Sequence, residues 1–187
     1  FMVSYFFGLH HALGMPYDHS FPIYLYWHLV ILGIILGLLG HLYKKGLFGL
    51  KKVYLKITWL PRWLHGLIPL TILIPIMYYW PLITGPGNRL ILSLQKMLTQ
   101  GGWALVGILA FYYVLRIAFS IISYDSGLPS GIFLPILTMG ALIGATYGTL
   151  MVQLGLMPAH LVINLIIFSM AGYFAAIIRA PFTAIIL

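Results

Sequence analysis

The stretch YDSGLPSGIFLPILTMGALIGATYG, residues 124–148, opens like a turn and closes like a membrane helix. Gly127, Pro129 and Gly131 alternate at its start, and Pro135 follows just inside the apolar run. Residues that break helices therefore stand where a long helix has to begin. Taking Ser130 or Gly131 as the N-cap resolves the conflict. Ile132, Phe133 and Leu134 then present amides with no partner in the helix, because the first four N–H groups of any helix have none. Pro135 falls in that same first turn, where its missing N–H removes no hydrogen bond. The glycine before it lets another group approach the backbone closely.

A helix N-terminus carries about half a positive charge and, with bare amides beside it, suits an anion. No carboxylate stands in this first turn, and none of Ile132, Phe133 or Leu134 has a side chain that could cap it. An anion held by backbone amides instead of Lys or Arg also leaves readily, as conduction requires. The local pattern equally fits an ordinary helix start at a membrane interface, solvated by water. Gly140, Gly144 and Gly148 form a small-residue ridge suited to packing against another helix.

Composition sets the solvent. Of 187 residues 62% are hydrophobic and 6% charged, and the mean hydropathy is +1.04. Soluble domains carry about 25% charged residues, so this chain lacks the polar groups to face water and reads as an integral membrane protein. Ten Lys and Arg face two acids, Asp18 and Asp125, and glutamate is absent. A net charge of +8 would suggest nucleic acid in a soluble protein. Here Lys44, Lys45, Lys51, Lys52, Lys56 and Arg62 crowd one connection between apolar spans, the pattern of a cytoplasmic loop. No nucleic-acid partner is expected. A basic surface helix with Trp59 and Trp63 at the headgroups is a variant of the same reading. The chain has no cysteine, which excludes disulfides and thiolate chemistry.

Along the chain, Phe1 to Leu13 reads as the tail of a span without the basic start of a signal peptide. Ile23 to Tyr43 is a clear span, expected to continue through the lysines as one long helix. Its Gly33 and Gly37 lie on one face, where a neighbouring backbone could come close. Trp63 to Trp80 reads as the next span, kinked by Pro69 and Pro75. PLITGPGNRL is a loop, and Ile91 to Leu98 is too short to span and reads as re-entrant. Gly102 to Ser123 spans again with Arg116 inside it. Helices are expected near Ile132 to Leu154 and Pro158 to Ile177, and Pro181 starts another at a first-turn position. Mixed short, broken and long helices are commoner in transporters and channels than in simple bundles. Both ends fall in apolar runs, so the chain is expected to be a piece of a longer polytopic protein.

SGLPSGIFLPILTMGALIGATYG resembles the signature of the CLC family of chloride channels and chloride/proton antiporters, a G-I-F-x-P run after a Gly/Pro turn. LYWHLVILGIILGLLGHLYKK resembles the long helix that opens that family's second half, ITGPGNRLI its Gly-rich loop, and AGYFAAIIRAPFTAIIL its paired helices joined by R-A-P-x-T. The resemblance covers nearly the whole chain. It implies an all-α polytopic bundle of tilted, broken and re-entrant helices. Residues 1–187 would be a partial transmembrane domain, the second inverted repeat without its final helices. It implies an anion, chloride or another halide, held by the amides of Ile132 and Phe133 with Gly131 giving access. It implies transport with no enzymatic activity and no cofactor, possible proton coupling, residence in the cell membrane, and a homodimer. Part of the dimer contact would involve the first helix and the one starting at Pro181. Ser130 departs from the pattern, which has a second glycine there. The family's G-S-G-I-P and G-R-E-G-P segments and its gating and proton-transfer glutamates are not in this sequence.

Two other classes compete. An intramembrane enzyme needs an acid, base, nucleophile or metal set, and the spans offer scattered Ser and Thr without Cys, Glu or a His beside a carboxylate. His10, His11 and His19 lack the spacing of a metal site. A non-transporting structural subunit would suit the glycine ridges, yet it leaves the broken helix start without a purpose. Arg116 could attract anions, pair with helix-terminal carbonyls, or snorkel to an interface. Arg179 is open in the same way, and Asp125 suits an inner vestibule or a turn cap.

Overall fold

The computed structural model describes residues 22–56, 61, 64–79, 87–98, 101–124, 126 and 133–178. These form α1 (Tyr26–Lys56), α2 (Leu67–Tyr79), α3 (Asn88–Leu98), α4 (Trp103–Tyr124), α5 (Phe133–Gln153) and α6 (Val162–Ile178). Four helical segments among the described residues are long and apolar enough to cross a membrane: Ile23–Leu50, Trp103–Tyr124, Phe133–Gln153 and Ala159–Ile178. Their outward faces are apolar, as at Val30, Ile34, Leu38 and Leu42 of α1. Such stripes are stable only when lipid is the solvent.

The helix ends follow from local chemistry. Pro22, in extended conformation, opens a 3₁₀ turn at Ile23–Leu25 that leads into α1. α1 then runs 31 residues through the lysines without a break, as the sequence predicts. α5 closes in a Schellman motif: Leu156 N–H donates to Met151 O and Gly155 N–H to Val152 O. Gly155 takes φ +72° there, the left-handed conformation that the motif needs. Pro158 caps a second 3₁₀ turn, Ala159–Leu161, which starts α6.

α5 is the centre of the bundle, buried continuously from Ile136 to Ala145. α6 crosses it antiparallel along the glycine ridge, and the backbones nearly touch. A β-carbon at Gly140 would lie 2.8 Å from Met170 Cα, one at Gly144 2.7 Å from Leu165 O, and one at Gly148 2.7 Å from Val162 Cγ1. Ser169 Oγ donates to Gly140 O at 2.7 Å across this crossing. α1 lies parallel to α6. A β-carbon at Gly40 would meet Ala176 Cβ at 3.3 Å, and one at Gly172 would meet Leu36 Cδ1 at 2.9 Å.

Polar ties fasten the remaining helices inside the apolar bundle. His28 Nδ1 and the Tyr147 hydroxyl share a hydrogen bond of 2.8 Å between α1 and α5. Tyr43 and Ser120 join α1 to α4 at 2.8 Å, and Tyr54 donates to Ile122 O at 3.0 Å. Lys44 Nζ donates to Ala176 O at 3.1 Å, closing the C-terminal end of α6. Lipid offers no competing partners, so ties of this kind specify which helices stay together.

Three expectations are corrected. Among the described residues Gly33 and Gly37 have nothing within 4 Å of a β-carbon position, because α1 turns its Leu32, Leu36, Gly40 and Tyr43 face to α6 and α4. The span expected from Trp63 to Trp80 contains a described helix of 13 residues, Leu67–Tyr79. Pro69 does not kink that helix, since it sits in the first turn, where amides lack partners anyway; Pro75 is the interior proline. The parts of the sequence reading that concern Phe1 to Leu13, Asp125, Arg179 and Pro181 lie outside the described residues.

Gly144→Ala is expected to lower stability by about 1–3 kcal/mol, the scale of overpacking a rigid core, because its methyl group meets backbone atoms. Gly33→Ala, with open space at that position, is expected to be neutral or slightly stabilising. Thermal unfolding of both variants in the same detergent provides the comparison.

Candidate functional site

The site is built from two helix starts and one buried cation. Phe133 is the first residue of α5. Its ring stands edge-on to Phe174 of α6, with centroids 5.3 Å apart and planes at 78°, and is 42% exposed. Gly131 and Ile132, the other two residues expected to bind the anion, lie outside the described residues, as does Ser130.

The packing gives Phe133 a depth. Leu36 meets Gly172 and Gly40 meets Ala176, so Phe174 and the Phe133 ring against it stand at the level of Leu38. That is near the middle of the 28-residue apolar segment Ile23–Leu50. Lys44, at the end of α6, marks a level about 9 Å further along α1 at 1.5 Å per residue. The sequence left open whether α5 starts at a membrane face or part-way in. It starts part-way in.

A second helix start lies about 7.5 Å from that level along α5, beside Thr138. α3 begins after Gly87, whose carbonyl accepts from Ile91 N–H at 3.0 Å. Gly87 is buried with φ +96°, a conformation that L side chains rarely adopt. A β-carbon there would run into Thr138 of α5 and come within 3.3 Å of the Arg116 guanidinium. Only glycine lets the chain turn into α3 so close to both. At the other end of α3, a β-carbon at Gly101 would lie 3.9 Å from Gln153 Nε2, beside the C-terminus of α5. α3 therefore runs from mid-depth towards one face as an 11-residue half-helix, the element too short to span that was expected near Ile91 to Leu98.

Arg116 of α4 is 5% exposed, so it does not snorkel. Its side chain instead brings a guanidinium to the start of α3, beside Thr138, five residues along α5 from Phe133. Each helix start adds about half a positive charge. Both acids of the chain, Asp18 and Asp125, lie outside the described residues. Two helix starts and a guanidinium, all of positive sign, thus lie within five residues of one another along α5.

The sequence reading missed the part played by Gly87 and Thr138. Its available signal was the juxtaposition of a Gly-Pro-Gly turn with a helix too short to span, but the contact with Arg116 is made across 29 residues and appears only on folding.

An all-α polytopic bundle that mixes long helices with short ones has the architecture of a membrane transporter or channel. The chain matches the family model described as voltage gated chloride channel over residues 1–187; it belongs to that family. Anion transport of the chloride channel or antiporter type is the activity the family defines.

Gly87→Ala is expected to lower the unfolding temperature and displace Arg116, since a positive φ alone costs a non-glycine residue about 1–3 kcal/mol. A Thr138→Ala background, which removes one of the clashing groups, should restore only part of the loss. Thermal unfolding of the single and double variants separates backbone strain from the clash.

Proposed function

We propose that this chain forms one wall of a halide pathway, with the anion held by the amides of Ile132 and Phe133 at the start of α5. Gly131 gives the ion access to the backbone, and the Phe133 ring lines its path. The observation that carries this reading is the depth of Phe133: its helix begins at mid-bundle, and the start of α3 and Arg116 pack on the same helix five residues further along, at Thr138. In hydrocarbon an N-terminus without a counter-charge is unfavourable, and a passing anion supplies one. Amides replace part of its hydration shell, while Arg116 acts as a fixed field from a short distance. The substrate on this reading is chloride or another small halide, and no cofactor takes part. The lysine-bearing end of α1 faces the cytoplasm, and the working unit in the cell membrane is a homodimer.

Phe133→Pro tests the ligand assignment, because it removes one donor at a position where helices accept proline. A hydrogen bond to a charged group is worth about 1.5–3 kcal/mol, so halide affinity should fall by about tenfold or more. Chloride titration by calorimetry reads this out, and unchanged affinity would overturn the assignment. Efflux from liposomes, with external pH recorded and the membrane potential set by a potassium ionophore, then separates the two modes. Chloride leaving with opposing proton uptake marks an exchanger, and chloride alone marks a channel.

A further inference from the structure

The last three turns of α1 carry a second feature that the anion pathway does not use. Lys45, Phe48, Lys52 and Lys56 follow one another at i, i+3, i+7 and i+11, so they share one face of the helix. All four are exposed. Tyr43 and Tyr54, on the opposite face, are buried and tied to α4 through Ser120 and Ile122 O. The helix is thus clamped on one side and basic on the other, with an aromatic ring in the middle of the basic side.

No acidic residue lies on α1 to balance these charges; the chain's only acids are Asp18 and Asp125, both outside the described residues. Like charges at helical neighbour spacing repel each other. A counter-charge from outside the chain removes that repulsion.

The length of α1 says where the counter-charge comes from. Its 31 residues measure about 46 Å, close to the ~40–45 Å of a bilayer including its headgroups. With the uncharged stretch 23–43 in the hydrocarbon, whose core takes about 20 helical residues, the basic face falls in the headgroup layer. Phe48, 71% exposed, points out of the bundle at the boundary, where an aromatic ring can enter the acyl region. A soluble anion would satisfy the lysines and leave Phe48 in water. A lipid satisfies both.

We propose that the Lys45–Phe48–Lys52–Lys56 face is a binding surface for anionic phospholipid headgroups, with Phe48 seated among the acyl chains. It is independent of the halide reading and would stand if that reading failed.

The protein in mixed micelles of equal phosphatidylglycerol and phosphatidylcholine, examined by native mass spectrometry, tests this surface. A lysine near an anionic surface contributes about fivefold in binding, so phosphatidylglycerol should be retained at least tenfold over phosphatidylcholine. The preference should fall as salt screens the charges. K45Q/K52Q/K56Q should bring retention to parity while circular dichroism and thermal unfolding in phosphatidylcholine stay unchanged, because glutamine keeps the helix propensity of lysine. Phe48→Ala should reduce retention of both lipids without changing their ratio; unchanged retention would overturn the aromatic anchor. Parity in the unmodified protein, or a preference that survives the triple substitution, would overturn the proposal. So would displacement of the lipid by equimolar inorganic phosphate, which would make the face a free-anion surface, or by a soluble acidic peptide, which would assign it to a protein partner.

Discussion

The backbone-to-backbone crossing of α5 and α6 is the constraint from which the rest of the architecture follows. In lipid, apolar side chains gain little from meeting each other, and close van der Waals contact has to hold helices together. Three glycines on α5 allow that contact, and Ser169 adds a hydrogen bond to Gly140 O within it. Because the crossing is antiparallel and fixed in register, it places the first residue of α5 beside Phe174. α1, parallel to α6 and anchored at Gly40 and Lys44, then determines how deep that residue lies. A one-residue slip would drive a side chain into backbone on the opposing helix, so depth and packing are specified together.

On the proposed reading, depth is what turns a helix start into a site. Amides at a membrane face would be hydrated, whereas amides at the level of the middle of α1 would act in a medium that screens them little. α3 contributes a second start nearby because it is too short to do anything except enter from one face. Arg116 could not be buried in hydrocarbon alone, and burial among helix elements at this depth is characteristic of functional intramembrane charge. Gly87 makes the arrangement sterically feasible. The stability of the bundle and the electrostatics of its middle therefore depend on the same few small residues.

Much of this was legible in the sequence because it rests on local rules. Low charge and high hydropathy announced lipid as solvent. The run from Ile23 through the lysines announced one long helix, Gly155 and Pro158 the break between α5 and α6, and the Gly131–Pro135 pattern a deliberate helix start. Glycine spacing was an ambiguous guide. It marked a true contact at Gly140 and Gly144 and a false one at Gly33 and Gly37, since a small-residue face shows where a helix could approach and not whether one does. Pro69 misled for a related reason: proline kinks a helix only beyond its first turn, and the start of α2 was not visible in an unbroken apolar run.

The sequence by itself determined the solvent, the helical class and the order of long and short elements, because periodicity, capping and charge act over a few residues. Only the tertiary structure decided the depth at which α5 begins, the pairing of α5 with α6, and the meeting of Arg116 with Gly87 and Thr138. Those depend on contacts between residues tens of positions apart, whose register is chosen by which backbones can approach most closely.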